Sequence, residues 1–204
     1  MTTAPPDNAE ALLSLWFGPP GPDGRADDAH RRRWFVKDEA FDAELRERFL
    51  ADHAAIVARR REDWLATPRG RLAYVIVLDQ LSRNMFRGTA GMFAHDAQAR
   101  AAAIAGIDRG DDAHLHPDAR GFLYMPLMHS EQLADQDRCV ALYTALRDAA
   151  EPAHRAGAES SLKFAVMHRD IIARFGRFPH RNALLGRAST PGEEAFLKEP
   201  GSSF

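Results

Sequence analysis

A segment rich in arginine and histidine, residues 168–187, contains the side chains best suited to bind an anion or to transfer a proton. It has five arginines against one acidic residue, whereas the whole chain has a net charge of −2. Guanidinium groups this close together repel each other unless carboxylates or anions lie between them. The segment therefore favours two chemistries, the binding of a phosphate or carboxylate group and acid–base catalysis by histidine.

Two features of this segment predict which side chains face a ligand. His168 shares an apolar helical stripe with Phe164, Ile171 and Phe175, so we expect its ring to face the interior. Pro179 favours an extended backbone before it and predicts a short rigid loop. The loop presents Arg177, His180, Arg181 and Asn182. Two alternatives stay open: a core histidine bonded to a polar neighbour, and arginines that cap helix carbonyls or form surface ion pairs.

Two further polar clusters stand at the predicted ends of apolar helices. One ends a central helix and consists of Asp79, Gln80, Arg83, Asn84 and Arg87. The other follows Pro126, which we expect to interrupt a helix, and begins with His129, Ser130 and Glu131. Pairs of residues four positions apart on a helix surface would also explain much of the first cluster.

Each of the three clusters would be costly to bury alone, so we predict that they converge on one site. The predicted binding residues are Asp79, Arg83, Asn84, Arg87, His129, Glu131, Arg177, His180, Arg181 and Asn182. The candidates for a catalytic general base are His129 and His168.

Sequence motifs for metal, phosphate-loop or nucleophile chemistry are absent. Three histidines have an acidic residue two positions later, but residues i and i+2 of a helix point about 200° apart and cannot share a metal. No phosphate-binding glycine loop and no G-x-S-x-G elbow occurs. Cys139 shares an apolar stripe with Leu142, Tyr143 and Leu146, which predicts a buried thiol. We therefore predict no metal and no cofactor.

The composition favours one soluble domain. The chain has 204 residues, 45% of them hydrophobic, and a single cysteine, which excludes a disulfide framework. The longest apolar run, residues 72–78, is far shorter than the ~20 residues that span a bilayer. A nearly balanced charge gives no general attraction to nucleic acid. We expect residues 1–6 to be disordered, residues 7–204 to form one α-helical domain in the cytoplasm, and neither nucleic acid nor a membrane to be a partner.

Helix signals recur along the chain, whereas strand signals are almost absent. Asp7 with Glu10 is typical of a capping box, and Thr67 followed by Pro68 predicts the start of the central helix. We expect an all-α fold of eight to ten helices, arranged as an irregular superhelix because no fixed-period repeat is visible. Four aromatic residues are predicted as core anchors: Trp34, Phe35, Trp64 and Phe178.

Five segments carry a resemblance to a known family. They are residues 33–35 (RWF), 79–89 (DQLSRNMFRGT), 124–131 (YMPLMHSE), 175–182 (FGRFPHRN) and 201–204 (GSSF). Together they resemble DUF924, a bacterial family of unknown function, over nearly the whole chain after Asp7. The resemblance implies a tetratricopeptide-like all-α superhelix. It implies no established activity, substrate or cofactor.

Two classes of function follow from these observations. The first is a binding protein whose pocket or groove, lined by Arg, His and Asn, holds a partner, a peptide or an anionic small molecule. The alternative is an enzyme that acts on a phosphate- or carboxylate-bearing small molecule with histidine as general base. Fold analogy and the missing catalytic motif favour binding. The sequence leaves open the ligand, the oligomeric state and whether the protein is an enzyme.

Overall fold

The computed structural model describes residues 8–19, 21 and 25–202, and every regular element in these ranges is helical. The α-helices are α1 (Asn8–Phe17), α2 (Asp28–Arg33), α3 (Glu39–Val57), α4 (Pro68–Ile76), α5 (Ser82–Met85), α6 (Asp96–Arg109), α7 (Pro117–Met128), α8 (Leu133–Asp148), α9 (Arg155–Phe175) and α10 (Pro191–Phe196). A π-helical turn, Val77–Leu81, joins α4 to α5 without a break. When α4, the π-helical turn and α5 are counted as one continuous helix, the described ranges have nine helices. This confirms the prediction of an all-α fold.

Local capping explains where several helices begin and end. Thr67 accepts a backbone hydrogen bond of 3.1 Å at the start of α4, and Pro68 takes the first helical position, as predicted. Thr190 opens α10 with a capping box. α9 ends at Gly176, whose φ of +69° lies in the left-handed region that glycine adopts readily. Asp7, the predicted cap of the first helix, lies outside the described residues.

The predicted interruption at Pro126 is wrong, because α7 continues through this residue to Met128. Proline lacks the N–H that would bond four residues back, and its ring crowds that carbonyl. The missing hydrogen bond is the one that the Phe122 carbonyl would accept, and α7 continues for two residues beyond Pro126 without it. His129 therefore comes directly after the end of a helix.

The chain divides into two compact units. Of the described residues, those up to 87 and residues 91–126 form the first unit, and residues 88–90 and those from 127 onward form the second. That they fold as one domain stays a prediction. The predicted disorder of residues 1–6 lies outside the described residues.

A buried central helix organises the first unit. Every residue from 70 to 82 is buried. α4 packs against α1, α6 and the 3-10 turn Glu62–Ala66, and the π-helical turn packs against α3. The apolar run at residues 72–78 is thus part of a helix covered on all sides, as predicted. Asp79 and Gln80 follow it within the buried π-helical turn.

Three of the four predicted aromatic anchors pack against the interior. Phe178 has no exposed surface, and Trp64 is 4% exposed. Trp34 is half-buried, and its indole Nε1 donates to the carbonyl of Trp16 at 2.8 Å. The prediction is wrong for Phe35, which is 72% exposed. In the short turn after α2, the neighbouring Trp34 takes the inward position instead.

An antiparallel helix pair, α8 and α9, frames the second unit. Arg147 at the end of α8 contacts Glu159 near the start of α9 at 3.3 Å. Asp137 near the start of α8 contacts Arg169 near the end of α9 at 2.9 Å. Ion pairs at both ends show that the two helices run in opposite directions. An apolar core at the end of α9 consists of Ile171 and Ile172 of this helix together with Phe178 and Phe196.

Candidate functional site

Asp79, which is buried, and Arg83, which is half-buried, form an ion pair of the first predicted cluster in the first unit. Asp79 is 1% exposed. The Arg83 guanidinium lies 3.1 Å from Asp79 and binds both carboxylate oxygens of Asp96 at 3.0 Å. Burial acts against the charge of Arg83, but the two carboxylates outweigh it and raise the pKa of the guanidinium. Arg83 is therefore neutralised by acidic side chains of its own unit.

The other members of this cluster hydrogen-bond to aspartates. Asp42 on α3 accepts hydrogen bonds from Asn84 at 2.7 Å and from Arg87 at 3.0 and 3.2 Å. Gln80 donates to Asp79 at 2.6 Å, although its spacing suggested a pairing with Asn84. Asp42 is 42 positions from Asn84, so the spacing of the cluster gives no sign of it. Contacts within the unit thus account for these residues, and a role in ligand binding stays a prediction.

In the second unit, two histidines and an arginine surround the buried ring of Phe178, and a third histidine lies beside one of them. The ring of His168 packs edge-on against it, with 5.6 Å between centroids. His180 lies 5.5 Å from the same centroid, and the Arg181 guanidinium lies over the ring at 4.4 Å. His129 lies 6.2 Å from His168 between ring centroids. We call His129, His168, His180 and Arg181 the histidine cluster.

Three elements carry the histidine cluster: α9, the 3-10 turn Pro179–Arg181 and the residue after α7. The side-chain amide of Gln136 is fully buried. It donates to the carbonyls of Met128 and Ser130, at 2.7 and 2.6 Å. These carbonyls lie on either side of His129, so the amide fixes the backbone that presents this ring.

The surroundings keep His168 and His180 uncharged. His168 and Arg181 are buried, whereas His129 and His180 are half-buried. The pKa of His168 is lowered to about 3, first by burial and then by the charges of its neighbours in the cluster. The pKa of His180 is lowered to about 4, again by burial first and by Arg181 second. The members of the cluster therefore oppose each other's protonation.

Glu131 brings a negative charge beside the histidine cluster. Arg187 binds its two oxygens at 2.7 and 2.9 Å, and the backbone N–H of Phe178 donates to it at 2.8 Å. Burial acts to raise the pKa of Glu131, but these hydrogen bonds and the charges of Arg187 and Arg181 lower it overall. The same two guanidinium groups lower the pKa of His180.

Arg177 and Asn182, both predicted to bind a ligand, hold the loop after α9 in shape. Arg177 binds both oxygens of Glu193 at 2.6 and 2.7 Å. Asn182 donates to Ser189 at 3.0 Å and accepts a hydrogen bond from Arg187 at 3.0 Å. These contacts favour the ion-pair interpretation of the two residues, and they fix the loop that carries part of the histidine cluster.

His168 is held in one tautomer. Its Nδ1 lies 2.8 Å from the carbonyl oxygen of Phe164. Because a carbonyl oxygen only accepts, Nδ1 carries the proton, and Nε2 of the neutral ring is a hydrogen-bond acceptor. A ring oriented by one nitrogen and basic at the other has the arrangement that general bases use. The apolar stripe correctly predicted that this ring faces the interior, since His168 is 5% exposed.

Four of the predicted binding residues lie in the first unit: Asp79, Arg83, Asn84 and Arg87. The other six lie in the second unit: His129, Glu131, Arg177, His180, Arg181 and Asn182. The histidine cluster joins both catalytic candidates, His129 and His168. The convergence of all three predicted clusters on one site stays a prediction. The ion pair of Arg187 with Glu131 was not predicted, because its partners are 56 positions apart in the sequence.

Cys139 is fully buried, as its apolar stripe predicted. Burial and, second, the charge of Asp135 raise the pKa of its thiol, which suits a structural residue. In the described ranges, no three side chains of His, Cys, Asp or Glu are placed to hold a metal ion. None of the helices in those ranges is both long enough and apolar enough to cross a bilayer.

Known proteins are similar to this chain in both sequence and fold. The family of bacterial proteins of unknown function DUF924 matches residues 12–201. The solved structure of ATU0120, a protein of unknown function from Agrobacterium tumefaciens, has 39% sequence identity and a TM-score of 0.75, over 93% of this chain and 96% of that one. No curated protein matches the chain. The match over residues 12–201 shows that this chain belongs to the DUF924 family of bacterial proteins.

Proposed function

We propose that the protein binds a small molecule with a phosphate or carboxylate group at the histidine cluster. One observation carries this proposal: two imidazoles and a guanidinium meet around one buried ring, with the His129 ring beside His168, and the pKa values of His168 and His180 are lowered first by burial and then by neighbouring charges that include Arg181. Arg181 keeps its positive charge while His168 and His180 are neutral, so it is the guanidinium that makes this environment positive. A positive, partly desolvated environment attracts anions more strongly than the exposed surface does.

The donors of the histidine cluster suit an anion as well. Imidazole donates from one nitrogen when neutral and from two when protonated, and guanidinium offers a fixed fork of N–H groups. His129 and His180 are half-buried, so a ligand meets them before the buried His168 and Arg181. A bound anion favours the protonated imidazoles, which couples ligand binding to proton uptake.

The proposal includes the location and the wider architecture expected from the sequence. We place the protein in the cytoplasm, where the one cysteine of the chain stays reduced. We also propose that helix pairs such as α8 and α9 belong to a tetratricopeptide-like superhelix, whose concave surfaces commonly bind ligands. A peptide can present a carboxylate just as an anionic small molecule can, so both are ligands of the proposed chemical class. Neither nucleic acid nor a membrane is a proposed partner.

Isothermal titration with inorganic phosphate tests this function. We expect Arg181→Gln to weaken phosphate binding by about tenfold or more, because a hydrogen bond to a charged group contributes about 1.5–3 kcal/mol. His180→Gln keeps a donor but takes up no proton, so we expect about a threefold loss. Arg174→Gln is the matched control, since the Arg174 guanidinium also stacks on a phenylalanine, 4.7 Å from the ring of Phe175, but lies outside the cluster.

Thermal unfolding separates loss of binding from loss of the fold. A ligand that binds the folded state raises Tm, so phosphate should stabilise the wild type and Arg174→Gln, but not Arg181→Gln. Equal phosphate affinities of Arg181→Gln and Arg174→Gln would refute the proposal. If Arg181→Gln fails to fold, His180→Gln decides the question, because its side chain is half-buried.

An enzymatic function is the second candidate, and the fixed tautomer of His168 favours it. Nδ1 is held by the Phe164 carbonyl, and Nε2 has the acceptor character of a general base. A pKa of about 3 makes this ring a weak base, which argues for binding instead. The fate of the ligand separates the two: a binding protein releases it unchanged, whereas an enzyme converts it, and His168→Gln then removes turnover.

A further inference from the structure

The turn between α2 and α3 exposes two large apolar side chains next to each other. Phe35 is 72% exposed and Val36 is 61% exposed, the highest values among the large hydrophobic residues of the described ranges. Together the two side chains form a contiguous apolar patch, and a partner that covers it removes apolar surface from water. We call Phe35 and Val36 the apolar turn.

Contacts beneath the apolar turn hold it in place. Trp34 donates to the carbonyl of Trp16 at 2.8 Å and packs edge-on against Phe122, with 4.8 Å between centroids. The ring of Phe35 lies nearly parallel to that of Phe122, at 6.5 Å. Because the turn is anchored in this way, a partner that docks on it has little conformational entropy to remove.

Charged side chains of both signs lie beside the apolar turn in the sequence, with Arg31, Arg32 and Arg33 before it and Lys37, Asp38 and Glu39 after it. Arg32, which precedes it, is exposed and forms no ion pair with the described residues. Asp38 and Glu39, which follow it after Lys37, are exposed. Glu39 contacts Lys37 at 3.2 Å, and such exposed pairs contribute little, so Glu39 can take another partner.

We propose that the apolar turn is a self-association surface and that it docks on the same turn of a second copy of this chain. In a two-fold symmetric contact, Phe35 and Val36 of both copies pack together, and Arg32 of each copy faces Glu39 of the other. Opposite charges then meet on both sides of the apolar contact. An anionic membrane would attract Arg32 and Lys37 and repel Asp38 and Glu39, so membrane binding is the competing outcome that the test separates.

Analytical ultracentrifugation of the full chain over a concentration series tests the proposal. We expect the wild type to dimerise and Phe35→Ser to raise the dimer Kd by about 30-fold, because both copies lose an aromatic contact. Leu50→Ser is the control, since Leu50 is 41% exposed on α3 outside the apolar turn, and its dimer Kd should not change. A chain that stays monomeric, or a dimer that Phe35→Ser leaves intact, overturns the proposal.

Charge exchange tests the symmetry of the contact. The symmetric dimer contains two contacts between position 32 of one copy and position 39 of the other. Arg32→Glu alone or Glu39→Arg alone places like charges at both contacts, so each variant should raise the dimer Kd by about tenfold. Mixed in equal amounts, the two variants should associate as strongly as the wild type, because their heterodimer restores both opposite-charge contacts. If the mixture of the two variants associates no more strongly than either variant alone, the symmetric contact is overturned. Binding of monomeric wild type to vesicles of anionic lipid, lost in Phe35→Ser, would assign the surface to a membrane instead.

Discussion

Replacing Gly70 by alanine is expected to destabilise the protein by about 3 kcal/mol or more, although alanine is the better helix residue in general. Gly70 lies in the first turn of α4, where the added methyl group would overlap the backbone carbonyl of Trp64 and come within 3.0 Å of Thr67 Oγ1. A backbone carbonyl moves only if the chain around it moves, so the start of the central helix would shift. The free energy of unfolding in urea measures this loss.

Gly157→Ala is the matched control for this change. Gly157 also lies within a helix, α9, but no described atom lies within 4 Å of the methyl group that alanine would add. Only the helix preference of alanine acts there, so we expect stabilisation by about 0.5–1 kcal/mol. Equal stability of the two variants would show that α4 does not pack closely on the turn Glu62–Ala66.

Replacing Asp111 by alanine is expected to destabilise the protein by about 3–5 kcal/mol, because it leaves a buried guanidinium without its carboxylate. Arg71 is 4% exposed and Asp111 5%, and the Arg71 Nε donates to the carboxylate at 2.8 Å. The carbonyls of Ala102 and Leu65 accept the other Arg71 donors at 3.1 and 2.7 Å. These bonds hold the guanidinium in the interior, where water does not replace the lost partner.

Glu62→Ala provides the comparison at the surface. Glu62 contacts Arg59 at 3.2 Å, and the two side chains are 53% and 72% exposed. Such a pair contributes below about 0.5 kcal/mol. The difference in unfolding free energy between the two variants isolates the effect of burial. Similar losses in both would mean that Asp111 does not neutralise a buried charge.

The starts of helices could be predicted because their signals are local. Thr67 and Pro68 contain all the information for the start of α4. The π-helical turn Val77–Leu81 could not be predicted from the sequence, because its residue types also suit an ordinary α-helix. Phe35 was misplaced for a related reason. Which of two adjacent aromatic residues faces inward depends on the bond from Trp34 to a carbonyl 18 positions away.

The candidate site was predictable in its residue types and in part of its geometry. The apolar stripe of α9 correctly placed His168 inside, since helical spacing determines which side a residue faces. The partners of the charged residues were not predictable, because pairs such as Arg87 with Asp42 depend on how distant elements pack. Such pairs also decide which charges are already neutralised. Spacing therefore identified the arginines without showing which carboxylates neutralise them.

Proton uptake at His180 links the histidine cluster to stability. The pKa of its ring is about 4 in the folded chain against an ordinary value of 6.5. Between these two pH values the unfolded chain binds a proton that the folded chain does not, so the contribution of His180 to stability falls as the pH falls. An anion in the cluster raises the folded-state pKa and reduces this loss. Anion affinity should therefore rise as the pH falls.

An NMR titration of the His180 ring, with and without sulfate, tests the anion-binding claim most directly. Sulfate keeps its charge throughout the titration, so a change in the pKa belongs to the protein. Without sulfate, we predict a pKa of about 4 rather than 6.5. With saturating sulfate, we predict a pKa higher by about one unit or more, which corresponds to about 1.4 kcal/mol of preference for the protonated ring. A His180 pKa that sulfate leaves unchanged would contradict the claim that this cluster binds anions.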